Sequence, residues 1–336
     1  MTFLGMDSLG KVALFLTYIV LWSAQGILVH NANKRHGSIQ AASIVLVQEI
    51  LKMGISISLF IFVEQKNFRD FLAQIKLHRK LAIYYIVPAF LYSVYNNLTF
   101  TGLRLFDPAS YFVLMQFRIV ITAGMSVLLL NKSFSTQQWT ALTVIMVGAM
   151  FKEIPNLWGS STDNSDSAIL KYSVIVTQLL MSTLAGVFNE KLLKTDASPN
   201  IQNLFMYINC VWMNFFFGQF SNNTNSVEWT SIYIWPVILN AACLGVLTGF
   251  FLKYLSSVLK SIASAIELWL TAIASAMVFG YPIDFGTVAG IAIVSLGIYM
   301  YGTASVPAVK PQRPASADGL ELGGRTSASS SGRMIS

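Results

Sequence analysis

Charge is scarce in this chain. Of 336 residues only 11% are Asp, Glu, Lys or Arg, while 54% are hydrophobic, and the mean hydropathy is +0.60. Soluble domains carry about 25% charged residues, so this sequence could not cover its own surface in water. That excludes disordered, collagen-like and nucleic-acid-binding chains and points to a polytopic membrane protein whose solvent is mostly lipid. Histidine is scarce too: His30, His36 and His78 lie outside the middles of the apolar stretches and form no HExxH and no His–carboxylate relay. The two cysteines, Cys210 and Cys243, both fall in apolar segments, so no disulfide framework or thiolate metal site is expected. Walker A, GxSxG and CxxC patterns are absent, which argues against an ATPase, an intramembrane protease or a redox enzyme. With no nucleophile–base set, no enzyme and no cofactor are expected. The first apolar segment lacks an Ala-x-Ala-like site and is long enough to span, so no cleavable signal peptide is expected.

What is present is a series of apolar segments, each long enough to cross a bilayer as a helix. Ten are expected, at about 11–31, 39–63, 81–104, 108–130, 136–155, 169–190, 200–221, 231–252, 257–280 and 283–303. Residues 1–10 precede the ten-helix domain 11–303 as a short tail. Residues 304–336, rich in Ser, Ala, Gly, Pro and Arg, follow as a tail too polar to fold. If both ends face the cytosol, fifteen Lys and Arg lie on the cytosolic side and five on the other, with Lys52 and Arg118 inside spans. That bias sets the orientation. It puts the sequon Asn222-Asn223-Thr224 on the lumenal side, whereas Asn131-Lys132-Ser133 is cytosolic and Asn97-Leu98-Thr99 intramembrane.

The two halves align on each other. At an offset of 149, Leu98, Thr99, Leu103 and Arg104 match Leu247, Thr248, Leu252 and Lys253; Thr122 and Ala123 match Thr271 and Ala272; Gly148 matches Gly297. At an offset of 160, Lys11, Thr17 and Gly26 match Lys171, Thr177 and Gly186. Five spans per copy is odd, so the second copy enters the membrane upside down. The expected fold is all-α, with inverted five-helix repeats at about 11–155 and 169–303, an architecture common in secondary transporters.

Polar groups at membrane depth are the candidates for chemistry. Glu49 and Lys52 sit at i, i+3 on one helical face, either as a self-neutralising pair or with Glu49 gating a central cavity. Tyr92, Tyr95, Asn96 and Asn97 cluster in the third span, for interhelical hydrogen bonds or for reading a nucleobase edge with a carboxamide and a flat ring. Arg118 falls opposite Glu267 in the repeat alignment, and either binds an anion or pairs with a carboxylate. Lys253 suits positive-inside anchoring. Lys260 comes just inside the ninth helix, where a cation beside the positive dipole end is unfavourable unless an anion binds. The small-residue runs 261–265 and 272–276 serve close helix packing.

Several motifs resemble the nucleotide-sugar transporters of the CMP-sialic acid/UDP-galactose branch, within the drug/metabolite transporter superfamily. They are Tyr92-Ser-Val-Tyr-Asn-Asn-Leu-Thr-Phe100, Phe106-Asp-Pro-Ala-Ser-Tyr-Phe-Val-Leu-Met-Gln-Phe-Arg118, Ala185-Gly-Val-Phe-Asn-Glu-Lys-Leu-Leu-Lys194, Gln202-Asn-Leu-Phe-Met-Tyr207 and Lys253-Tyr-Leu-Ser-Ser-Val-Leu-Lys260. The runs Val87-Pro-Ala-Phe-Leu-Tyr92 and Ser264-Ala-Ile-Glu-Leu268 look most like the UDP-galactose members. The resemblance implies ten helices in inverted repeats. It also implies exchange of a cytosolic nucleotide sugar for a lumenal nucleoside monophosphate across a Golgi or ER membrane. By the same resemblance Tyr92, Asn96 and Tyr111 line the nucleotide pocket, Asn203 and Tyr207 hold the nucleoside, and Lys260 faces phosphate. Arg118 stands where the sialic-acid members have Lys, and a guanidinium can still clamp phosphate. Tyr95, Phe112 and Met115 depart from the sialic-acid pattern and weigh against that sugar. The expectation is therefore a UDP-sugar:UMP antiporter with UDP-galactose first. A non-transporting scaffold of the same fold and a carrier of another phosphorylated metabolite are the alternatives. The expected partners are the UDP-sugar, UMP and the bilayer, with homo-oligomerisation open and no nucleic acid.

Overall fold

The computed structural model describes residues 4, 6–36, 42–65, 67–106, 111, 114–151, 165–220, 231–279 and 285–304, and every regular element among them is helical. In chain order these are α1 (Leu9–His36), α2 (Ala42–Ser58) with a π turn (Leu59–Val63), α3 (Phe68–Leu77), α4 (Arg79–Tyr84), α5 (Ile86–Leu105) and α6 (Arg118–Leu130). Then follow α7 (Thr136–Met150), α8 (Ser165–Leu193), α9 (Pro199–Phe220), α10 (Ile234–Tyr254), α11 (Ser257–Phe279) and α12 (Phe285–Thr303).

Among the described residues six stretches are long and apolar enough to cross a membrane: Leu9–Val29, Ile44–Val63, Lys171–Leu193, Ile234–Tyr254, Ser257–Val278 and Phe285–Thr303. Large apolar side chains on them face outward, among them Phe62, Val176, Trp235, Met277 and Tyr299. In water that surface would aggregate; in hydrocarbon it is the solvated face. The chain is thus a polytopic all-α membrane protein. The other four expected spans fall on α4–α5, α6, α7 and α9, which do not meet the same standard of length and hydropathy. In α9 the departure is composition, since Asn200, Gln202, Asn203, Asn209 and Asn214 all lie on it.

The structure adds one helix and changes one local expectation. The link after the second span contains a helix, α3. It opens on Asn67, whose backbone N–H donates to Asp70 Oδ2 at 3.2 Å, and it tucks Phe71 against Phe60 with ring centroids 5.6 Å apart. Arg118, expected inside a helix, is instead the first residue of α6, after a turn that buries Met115 and Gln116. The sequon at Asn222, Phe112 and the tail beyond 304 lie outside the described residues.

The helices pack reciprocally. α7 lies on α12, α2 on α9 and α6 on α11. α5 packs on α8 as α1 does on α10; α6 on α8 as α1 on α11; α2 on α10 as α5 on α9. The α7–α12 contact is close because each helix offers a glycine to the other. A Cβ on Gly148 would meet the Val294 backbone N at 2.9 Å, and one on Gly297 would meet the Ile145 backbone N at 3.0 Å. The α6–α11 contact is polar, with Ser126 Oγ 3.4 Å from Ser257 Oγ and the Ser261 hydroxyl donating to Thr122 Oγ1 at 3.2 Å.

Candidate functional site

Two adjoining cavities open among α1, α2, α5, α6 and α8–α11. The larger, about 360 Å³, is lined by Tyr18, Trp22, Arg118, Thr183, Ser264 and Glu267, among others. The smaller, about 210 Å³, is lined by Glu49, Lys52, Asn189, Asn203, Tyr207 and Thr248, among others. Tyr92, Asn96 and Lys260 belong to both walls, so the two form one bipartite site. The larger alone reaches the scale of small-molecule pockets, about 300–1,000 Å³.

The charges divide into a paired and an unpaired set. Lys52 and Glu49 form an ion pair on α2, and Lys52 Nζ lies 5.0 Å from the centre of the Tyr207 ring. Arg118 and Lys260 form no ion pair among the described residues. The buried Nε of Arg118 has no hydrogen-bond partner among the described residues. Lys260 Nζ lies 5.8 Å from the centre of the Tyr92 ring, close enough for a cation–π contact. Arg118 is the first residue of α6 and Lys260 the fourth of α11. Two cations without an ion pair among the described residues, both on the wall of the larger cavity, are groups that can hold an anion.

The smaller cavity is lined by polar atoms without partners. Tyr207 Oη, Asn189 Oδ1 and Glu49 Oε2 are buried and make no hydrogen bond among the described residues, an uncommon condition for a buried polar atom that a ligand with mixed donors and acceptors would relieve. The α9 side chains are held from behind. Gln202, fully buried, accepts from the Tyr85 hydroxyl at 2.8 Å and donates to the Ala197 carbonyl at 2.8 Å. Asn203 donates to the Val246 carbonyl at 3.3 Å. Its carboxamide lies directly on Gly249, where any Cβ would occupy the same space. Gly245, one turn earlier on α10, seats the Lys52 stem in the same way.

Tyr92, Asn96, Arg118, Asn203, Tyr207 and Lys260 come together at this site, as do Glu49, Lys52 and Glu267. Tyr111 does not line either cavity. It stands in a separate cluster with Met115, Ile175 and Leu179, where Gln178 Nε2 donates to its hydroxyl at 2.6 Å. The sequence reading missed Tyr18, Trp22, Thr183, Asn189 and the two α10 glycines. The polar face of α8, spaced Gln178, Ser182, Gly186 and Asn189, carried a helical signal for part of this set.

A third polar centre lies outside the cavities. Glu190, fully buried, accepts from Lys132 Nζ and Lys194 Nζ at 2.6 Å each, and from the Ser257 backbone N–H and hydroxyl at 2.7 and 2.6 Å. It ties the α6–α7 link to α8 and to the start of α11. Burial lowers the pKa of the Lys132 ammonium, while Glu190 pulls it back up.

A family profile described as nucleotide-sugar transporter matches residues 7–302. The chain is 32% identical to the UDP-galactose transporter senju of Drosophila melanogaster, over 90% of this chain and 89% of that one. It is 29% identical to the UDP-galactose translocator of Mus musculus, over 83% and 74%. It is also 32% identical to CMP-sialic acid transporter 3 of Oryza sativa subsp. indica, over 64% and 56%. A crystal structure with 9% identity superposes with a TM-score of 0.66 over 87% of this chain and 96% of that one, a likeness of fold alone.

Proposed function

The chain belongs to the nucleotide-sugar transporter family, and from that premise we propose that it exchanges a UDP-sugar, UDP-galactose first, for UMP across the Golgi membrane. Its ten spans form two inverted five-helix repeats with both termini cytosolic. The reciprocal helix packing and the paired glycines Gly148 and Gly297 support the repeat reading. The observation that carries the function is the unpaired Arg118 and Lys260 on the wall of one bipartite cavity. Arg118 and Lys260 take the phosphates. The uridine lies in the smaller cavity among Tyr92, Asn96, Asn203 and Tyr207, where orphaned polar atoms await partners. Tyr111 acts from behind, bracing α5 and α8 rather than touching the nucleotide.

Exchange follows from charge. An empty cavity with unpaired cations reorients poorly across a low-dielectric barrier, while a nucleotide neutralises them and frees the motion. Replacing Arg118 with Ala is expected to reduce UDP-galactose/UMP exchange in proteoliposomes about 100-fold or more, with the variant still running as a monodisperse species on size exclusion. Exchange at the parental rate would refute the assignment. Competition by AMP or CMP equal to that by UMP would favour a carrier of another phosphorylated metabolite.

A further inference from the structure

Resting on the UDP-sugar reading, we infer that Glu267 forms the sugar end of the site and selects neutral hexoses against sugars that carry a carboxylate. α11 presents Lys260, Ser264 and Glu267 on one face at i, i+4 and i+7, all on the wall of the larger cavity. The α6–α11 contact fixes what stands opposite. Ser126 meets Ser257 and Thr122 meets Ser261. One more step of four residues along both helices brings Arg118 level with Ala265, between Ser264 and Glu267. The order along the cavity is therefore Lys260, Arg118, Glu267. Lys260 to Glu267 is seven residues, about 10 Å at 1.5 Å per residue, room for a phosphate and one pyranose ring.

The chemistry at that end suits an uncharged sugar. Glu267 accepts one long contact from Thr271 Oγ1, at 3.5 Å, and has no ion pair among the described residues. Its oxygens are left as acceptors, and a carboxylate can accept from two adjacent sugar hydroxyls. Tyr18 and Trp22 reach the same cavity from α1, their rings edge to face at 6.3 Å, and offer an apolar surface to the C–H face of the ring. A sugar bearing its own carboxylate would bring two like charges together in a site shielded from water, where repulsion is strong. The uridine contacts lie in the smaller cavity, away from Glu267.

The competing account makes Glu267 a counter-ion that merely holds Arg118 in place. Thermal stabilisation of the purified full-length protein by UMP, UDP-galactose and UDP-glucuronic acid separates the two. The parent is expected to bind UDP-galactose about tenfold more tightly than UDP-glucuronic acid. Glu267→Gln keeps a hydrogen-bonding group and removes the charge. It is expected to close most of that gap, bringing the ratio of UDP-galactose to UDP-glucuronic acid affinity from about ten towards one. Equal affinity of the parent for both sugars, or an unchanged ratio in the variant, would overturn the inference. Loss of UMP binding in Glu267→Gln would overturn it in favour of the counter-ion. A parent that binds UDP-galactose and UDP-glucuronic acid alike but still binds UMP leaves the transporter reading standing. A parent that binds no uridine nucleotide brings both down.

Discussion

At the scale of single residues, the site depends on small side chains that let polar ones approach. Asn203 reaches the cavity wall only because Gly249 has no Cβ. Gly249→Ala should force the carboxamide aside, an overpacking cost of about 1–3 kcal/mol, and weaken UMP binding. Asn203→Ala should weaken it to a similar degree. If Gly249 acts through Asn203, the double variant should be no worse than either single one in a thermal-shift titration. A Gly249→Ala protein that binds UMP like the parent would remove this role. Asn203 was legible only through the resemblance carried by Gln202-Asn-Leu-Phe-Met-Tyr207. Gly249 was not legible, because a helical glycine is informative only when its neighbour across the interface is known. Tyr111 shows the converse: its motif was legible, but Gln178 and Gly102, which draw it off the cavity, lie elsewhere in the chain.

Among the elements, α6 and α11 carry Arg118 and Lys260, and Glu190 ties the end of α6 to the start of α11. Glu190 is fully buried, whereas the Lys194 side chain is 40% exposed and that of Lys132 26%. Removing the buried partner of an ion pair costs about 3–5 kcal/mol, while an exposed partner contributes little. Glu190→Gln should therefore lower the Tm of the detergent-solubilised protein much more than Lys194→Gln does. Equal melting of Glu190→Gln and parent would show that the network contributes no stability. The i, i+4 spacing of Glu190 and Lys194 was readable in the sequence. Its closure by Lys132 and Ser257 was not, since those residues are 58 and 67 positions away. The start of α6 was also misplaced, because hydropathy alone does not mark where a buried turn gives way to regular helix at Arg118.

For the whole molecule, the sequence signal was strong where composition repeats and weak where polarity interrupts it. Low charge was enough to identify a polytopic helical membrane protein. The offset of 149 paired Gly148 with Gly297, and these two glycines sit reciprocally where α7 crosses α12. The amide-rich α9 and the short α6 are less apolar or shorter than ordinary spans, because they line the cavity instead of facing lipid alone. That division of labour leads to the central claim, that a nucleotide must occupy the site for it to turn around. The direct test is UDP-galactose uptake by the purified protein in proteoliposomes that are either empty or loaded with UMP. The account predicts fast uptake into UMP-loaded vesicles and little into empty ones. Equal uptake into both would contradict obligatory exchange.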